Sequence, residues 1–197
     1  MKNYPKYVKS TLNTVIRDMS KHPEDFCSRP GKDFTRKRKL PFEKILSLLV
    51  KMGGHSLRDE MLDCLNFEEM PASVSALVQQ RRKILPEALE YLFHKFTAAC
   101  EKPKLYKGYR LIAVDGSDLQ FTANPNDPLS YFPGANGQKH YSFLHLNALY
   151  DLHSNLYLDA IVQKKRAANE NAALINMVDK SQIAQPVILI ADRGYEA

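Results

Sequence analysis

Apolar positions change their period along this chain. From Phe42 onward they recur at helical spacing: Phe42, Ile45, Leu46 and Leu49 fall at i, i+3, i+4 and i+7, and Pro41 opens the run where a missing N–H has no consequence. Gly53-Gly54 ends that helix. Ser56 then caps a second helix, with Asp59 in the capping-box place and Leu57, Met61, Leu62 and Leu65 as its apolar stripe. A third helix is predicted from about Ser73 to Lys83, and Pro86 opens a fourth with Leu89, Leu92, Phe93 and Phe96 on one side. The forty residues before them, broken by Pro5, Pro23 and Pro30-Gly31, read as an irregular arm.

Beyond Lys102-Pro103 the pattern becomes that of strands. Leu111-Ile112-Ala113-Val114 is a continuous apolar run, expected for a strand covered on both faces, and it is predicted to stop at Asp115-Gly116. Phe143 to Leu152 and Asn155 to Gln163 predict an antiparallel hairpin around a turn-prone Asp151 to Asn155. A helix entered at Asn169-Glu170 is expected to bury Leu174, Ile175 and Val178. Val187 to Ala191, again wholly apolar, then runs directly into Asp192. The expected class is α+β: a helical region over residues 1–105, then a β-β-β-α-β region over residues 106–197.

Composition narrows the setting. With 197 residues, 44% apolar and 25% charged, the chain has the make-up of a folded soluble protein. It carries no apolar run of the roughly 18 residues a membrane span needs and no secretory leader, so no membrane partner is expected. Cys27, Cys64 and Cys100 lie far apart with no C-x-x-C pair, which speaks against a disulfide framework or a structural zinc site and for a cytoplasmic location. His140, His145 and His153 are close in sequence but match no metal-binding spacing. The net charge of +6 is unevenly spread: residues 1–110 hold 22 Lys or Arg against 13 Asp or Glu, and residues 111–197 hold 6 against 9. A basic front half suits a polyanion, with nucleic acid the obvious one.

Two apolar strands running into aspartate make a chemical statement, because strand interiors are depleted in Asp. The helical crossover before the last strand lets it lie parallel to the first. If the two are neighbours, Asp115 and Asp192 emerge at one rim of the sheet. Two converging carboxylates repel unless a cation lies between them, and oxygen-only ligands suit Mg²⁺ or Mn²⁺. A pair of such ions can activate a water or a 3′-hydroxyl on a phosphodiester. Asp118, three residues after Asp115 and past the glycine, is read as a turn residue.

Val114-Asp115-Gly116-Ser117 and Ile190-Ala191-Asp192-Arg193-Gly194-Tyr195-Glu196 resemble the first and second acidic motifs of the DDE insertion-sequence transposases, in the branch called IS-four-like. The stretch Phe143 to Asp151 is similar to the hairpin of that family's ribonuclease H-like core. The resemblance implies a ribonuclease H-like mixed sheet, incomplete here, and metal-dependent cleavage and strand transfer at DNA ends. It makes Asp115 and Asp192 the first two metal-binding members of an acidic triad. In the family the third is a glutamate in a Tyr, Arg, Glu, Lys signature on a later helix. The chain stops at Ala197 before any such signature, so a truncated transposase, inactive alone and dimeric when full length, is the expectation.

Double-stranded DNA is the implied partner, and basic groups mark where its phosphates would lie. Lys139 and the run Lys164-Lys165-Arg166 flank the hairpin of the catalytic half. Arg36-Lys37-Arg38-Lys39 suits a nonspecific clamp. Gln79, Arg82 and Lys83 close the third helix, in a stretch that reads either as a helix-turn-helix or as a bundle touching only the backbone. Two rival functions stay open. One is a binding module that represses transposition without cleaving. The other is a ribonuclease H-like nuclease that recruits Asp118, Asp151 or Asp159 as further acids.

Overall fold

Residues 4–36, 39–64, 72–100, 102–135 and 137–195 are described by the computed structural model. Among them are six α-helices and one mixed sheet of five strands, divided between two units, residues 1–100 and 101–197. No helix among the described residues is long and apolar enough to cross a membrane.

The first unit begins with a helix, α1 (Tyr4–Met19), where an irregular arm was expected. Pro5 lies in its first turn, where no backbone donor is needed, and Leu12, Val15, Ile16 and Met19 supply a helical stripe that the prolines obscure. The four expected helices follow as α2 (Phe42–Lys51), α3 (Leu57–Cys64), α4 (Val74–Arg81) and α5 (Glu87–Cys100). Ser56 caps α3 by accepting from the Asp59 N–H, and Ser73 caps α4 by accepting from that of Ala76. Helix α2 ends at Lys51 rather than at the glycine pair, and the Glu60 carboxylate takes the N–H groups of Gly53 and His55.

Two clusters form this unit's interior. Ile16, Met19, Phe42, Leu46, Ala88 and Leu92 make one, and Leu40, Ile45, Leu48, Met61 and Leu77 the other, with Phe34 and Ile84 packed against both. Leu89, expected inside, is exposed on α5, and Ala88, Thr97 and Cys100 are buried in its stead. Ile45 has no exposed surface, so Ile45→Ala should destabilise the unit by about 2–5 kcal/mol in urea unfolding.

The second unit is built on β1 (Arg110–Phe121), β2 (Tyr131–Phe132), β3 (Tyr141–Asp151), β4 (Leu156–Lys164), α6 (Glu170–Lys180) and β5 (Val187–Ile190). The two-residue β2 is an addition to the expected β-β-β-α-β order. Strand β3 pairs antiparallel with β1 on one side and with β4 and β2 on the other. Strand β5 pairs parallel with β1. Helix α6, capped by Asn169, lays Met177 and Leu174 on the buried face formed by Ile112, Val114 and Leu149.

Three local expectations are corrected. Strand β1 does not stop at Asp115-Gly116 but continues to Phe121, because β3 offers a partner at every step as far as Phe121↔Ser142. Cross-strand pairing outweighs the weak β-propensity of Asp and Gly. Asp118 is therefore a strand residue opposite His145, not a turn residue. On α6, Ile175 and Val178 face outward and only Leu174 packs inward, because the side that meets the sheet carries Leu174 and Met177. Strand β5, though wholly apolar, is 40–45% exposed at each residue.

Candidate active site

Strand register decides where the acids meet. Residues 110 to 113 of β1 pair in parallel with residues 187 to 190 of β5, and the same offset carried two residues past β5 brings Asp192 level with Asp115. By that extension Asp192 falls level with Asp115 just past the end of β5, although Asp115 is in the middle of its own strand rather than at a rim of the sheet. Each is exposed and fixed locally by its own backbone: Asp115 Oδ1 accepts from the Gly116 N–H at 2.8 Å, and Asp192 Oδ1 from the Gly194 N–H at 2.9 Å. Among the described residues neither carboxylate has a cationic partner within salt-bridge distance, and the second oxygen of each takes no hydrogen bond.

The donors present suit a hard divalent cation, which commonly takes one or two protein carboxylates and completes its shell with water and phosphate oxygens. Among the described residues no three His, Cys, Asp or Glu side chains are grouped so as to hold an ion.

A second layer lies behind the pair, and the sequence pattern did not single it out. His145, 95% buried on β3, has Nδ1 at 2.7 Å from Asp118 Oδ1 and Nε2 at 2.8 Å from Glu170 Oε1. Asp118 is also bound by Lys165 Nζ at 2.8 Å. Lys165 first and His145 second hold the Asp118 carboxyl below the ordinary aspartate range. Asn147, fully buried, accepts from the Tyr195 hydroxyl and donates to Gln163, which also accepts the Asn169 N–H. This chain ties the turn after Asp192 to β3, β4 and the start of α6. Burial, with Glu170, Asp115 and Asp192 adding negative charge nearby, pushes the Tyr195 phenol up to about 12. It remains a neutral donor at physiological pH.

Gly116 is required by close approach. A Cβ there would stand 2.7 Å from His145 Nε2 and 2.9 Å from Glu170 Oε1. Gly116→Ala should therefore destabilise the second unit by about 1–3 kcal/mol and displace the His145 ring, seen as a lower melting temperature and a shifted imidazole signal in NMR spectra.

The acids considered for a nuclease do not join the pair. Asp151 is wholly buried in an ion pair with Arg110 at 2.7 Å, Asp118 is engaged by His145 and Lys165, and Asp159 lies on β4, separated from β1 by β3. The basic candidates are also sorted by their surroundings. Lys164 pairs with Asp127 at 2.9 Å, Lys165 with Asp118, and Arg166 lies over the Phe132 ring with its Nε donating to the Tyr131 carbonyl. Each of these three has a partner in its own unit, and Lys139 alone of that group is exposed with no ionic partner among the described residues.

In the first unit Arg36, Lys39, Gln79 and Arg82 are exposed, whereas Lys83 turns inward toward Asp33 and Gln80. Arg36 and Lys83 line, with Arg29 and Lys32, a cavity of about 360 Å³ whose one acid, Asp33, is held by Arg29 at 2.9 Å. Lys37, Arg38 and the Pro71 break of the expected helix-turn-helix lie outside the described residues, as does Glu196.

No curated protein and no solved structure matches the chain significantly. A family model does match: residues 106–197 are similar to the transposase DDE domain, which supports a DDE transposase and, with it, an enzyme family of the nucleotidyl-transferase type.

Proposed function

We propose that this chain belongs to a DNA transposase of the IS-four-like kind, with residues 106–197 forming part of a ribonuclease H-like catalytic core and residues 1–105 holding DNA. The observation that carries this reading is the level placement of Asp115 and Asp192 on parallel neighbours, within the stretch similar to the transposase DDE domain. Asp115 and Asp192 would hold Mg²⁺ or Mn²⁺. When bound, such ions polarise a phosphodiester and stabilise its departing oxygen. The Gly116 and Gly194 N–H groups keep the two carboxylates in place beforehand, and the Tyr195–Asn147 bond fixes the turn that carries Asp192. The described residues supply two acids of the triad; the third is assigned to the family's later glutamate. Double-stranded element ends and target are the substrates, a homodimer the working form, and the cytoplasm the location.

Incubating the chain, extended to carry the third acid, with duplex DNA and Mn²⁺ tests the reading. Metal-dependent nicks that EDTA abolishes support it. A mobility shift with no nicking at any Mn²⁺ concentration supports instead the rival in which the chain only binds and represses.

DNA holding is assigned to the exposed cations Arg36, Lys39, Arg82 and Lys139, with Lys37 and Arg38 completing the basic run and Gln79 beside Arg82 on the outer face of α4. Charge reversal at Arg36 and Lys39 together should weaken binding to all sequences alike. It should also lower the slope of log affinity against log salt by about 2, since each phosphate contact contributes about 0.9. An unchanged slope would remove these residues from the interface.

A further inference from the structure

Glu170 occupies a place that neither acidic motif explains. It is the first residue of α6, where a carboxylate is favoured by the helix N-terminus, yet it does not cap the helix, because Asn169 does so. Its two oxygens face two different segments. Oε1 lies 2.9 Å from where a Cβ on Gly116 would be, and Oε2 lies 3.4 Å from where one on Gly194 would be. The Gly194 position is also 3.1 Å from Asp192 Oδ1. Gly116 follows Asp115 directly and Gly194 follows Asp192 by two residues. One carboxylate is thus wedged between the two backbone segments that present the acid pair, and both segments have glycine at the point of contact.

The wedge is itself held from behind. His145 stands 2.8 Å from Glu170 Oε1, but its buried Nε2 lacks the alignment of a hydrogen bond to any described group. The contact is therefore one of packing, which sets where the carboxylate lies without consuming its lone pairs. On its other side His145 is anchored to Asp118, which β1 and Lys165 fix.

We infer that Glu170 is a positioning residue for the cation site: backed by His145, it sets the spacing between the Asp115 strand and the Asp192 turn and adds negative charge behind them. This rests on the reading that Asp115 and Asp192 share a divalent ion. Residues of this kind, one layer behind the ligands, commonly change metal affinity by about 10- to 100-fold when altered.

The test is Mn²⁺ binding to the full chain without DNA, followed by the electron paramagnetic resonance signal of free Mn²⁺, alongside thermal melting. Glu170→Gln keeps size and removes charge at a partly exposed position. It should weaken Mn²⁺ binding about tenfold and leave the melting temperature unchanged. Glu170→Asp, which keeps the charge but draws it back by one methylene, should lose less, and it serves as the comparison if the glutamine variant does not fold. Unaltered Mn²⁺ affinity in both variants, with affinity lost in Asp192→Asn, overturns the role of Glu170 and leaves the acid pair intact. Unaltered affinity in Asp192→Asn as well refutes the acid pair, and the inference falls with it.

Discussion

Asp151→Ala is expected to unfold the second unit rather than to remove a catalytic group. The Asp151 carboxylate and the Arg110 guanidinium are 0% and 1% exposed and 2.7 Å apart, and the same carboxylate accepts the N–H groups of His153 and Ser154 at 3.0 and 2.8 Å. Removing the carboxylate of such a buried pair costs about 3–5 kcal/mol, because the Arg110 charge loses its buried counter-ion. Urea unfolding should show a loss of that size, and replacing both residues by apolar ones should recover much of it. A stably folded Asp151→Ala variant that has lost only DNA cleavage would restore the nuclease reading. The pH dependence has a definite sign. Burial pushes the Asp151 carboxyl up, but Arg110 and the two N–H donors outweigh it, and the net shift is downward. Its contribution to stability is therefore complete above the ordinary aspartate pKa of about 3.9 and is lost as pH falls through the depressed folded value. Acid unfolding of the parent chain should be steeper than that of Asp151→Asn.

The second large effect concerns chemistry. In a chain that also carries the third acid, Asp115→Asn and Asp192→Asn should each lower metal-dependent DNA cleavage at least about a hundredfold. Losing an ion's ligand removes several kcal/mol of transition-state stabilisation, and each 1.36 kcal/mol is about tenfold in rate. Both carboxylates are exposed and unpaired with any cation among the described residues, so neither substitution should lower stability. Near-normal folding with abolished cleavage identifies the acids as functional. Equal loss of folding and cleavage would make them structural.

Much of this was legible before any coordinates, for a physical reason in each case. The hairpin of β3 and β4, the Asn169 cap and the parallel return of β5 follow from period, capping chemistry and crossover handedness, all of which are local or nearly so. Asp115 and Asp192 could be named because a carboxylate after an apolar run is conspicuous. Helix α1 was missed because Pro5 and Pro23 were read as breaks, when the first lies in a first turn and the second lies beyond the helix end. The layer of His145, Asn147, Glu170 and Tyr195 is hidden in the sequence because its members come from three different segments and meet only through register. Its one sequence signal was the pair of glycines beside the acids, which could have been read as room left for a neighbouring side chain. Lys164 to Arg166 form a basic run that suggests phosphate contact, and each residue also has a partner within its own unit, which sequence alone does not show.

Asp115 and Asp192 together would hold the divalent cation chemistry that the proposed cleavage needs. Anomalous diffraction at the manganese edge, from crystals of the chain grown with Mn²⁺, addresses it directly. The account predicts a manganese peak within coordination distance of both Asp115 and Asp192. A peak at neither residue, or carboxyl groups too far apart to share an ion, would contradict it.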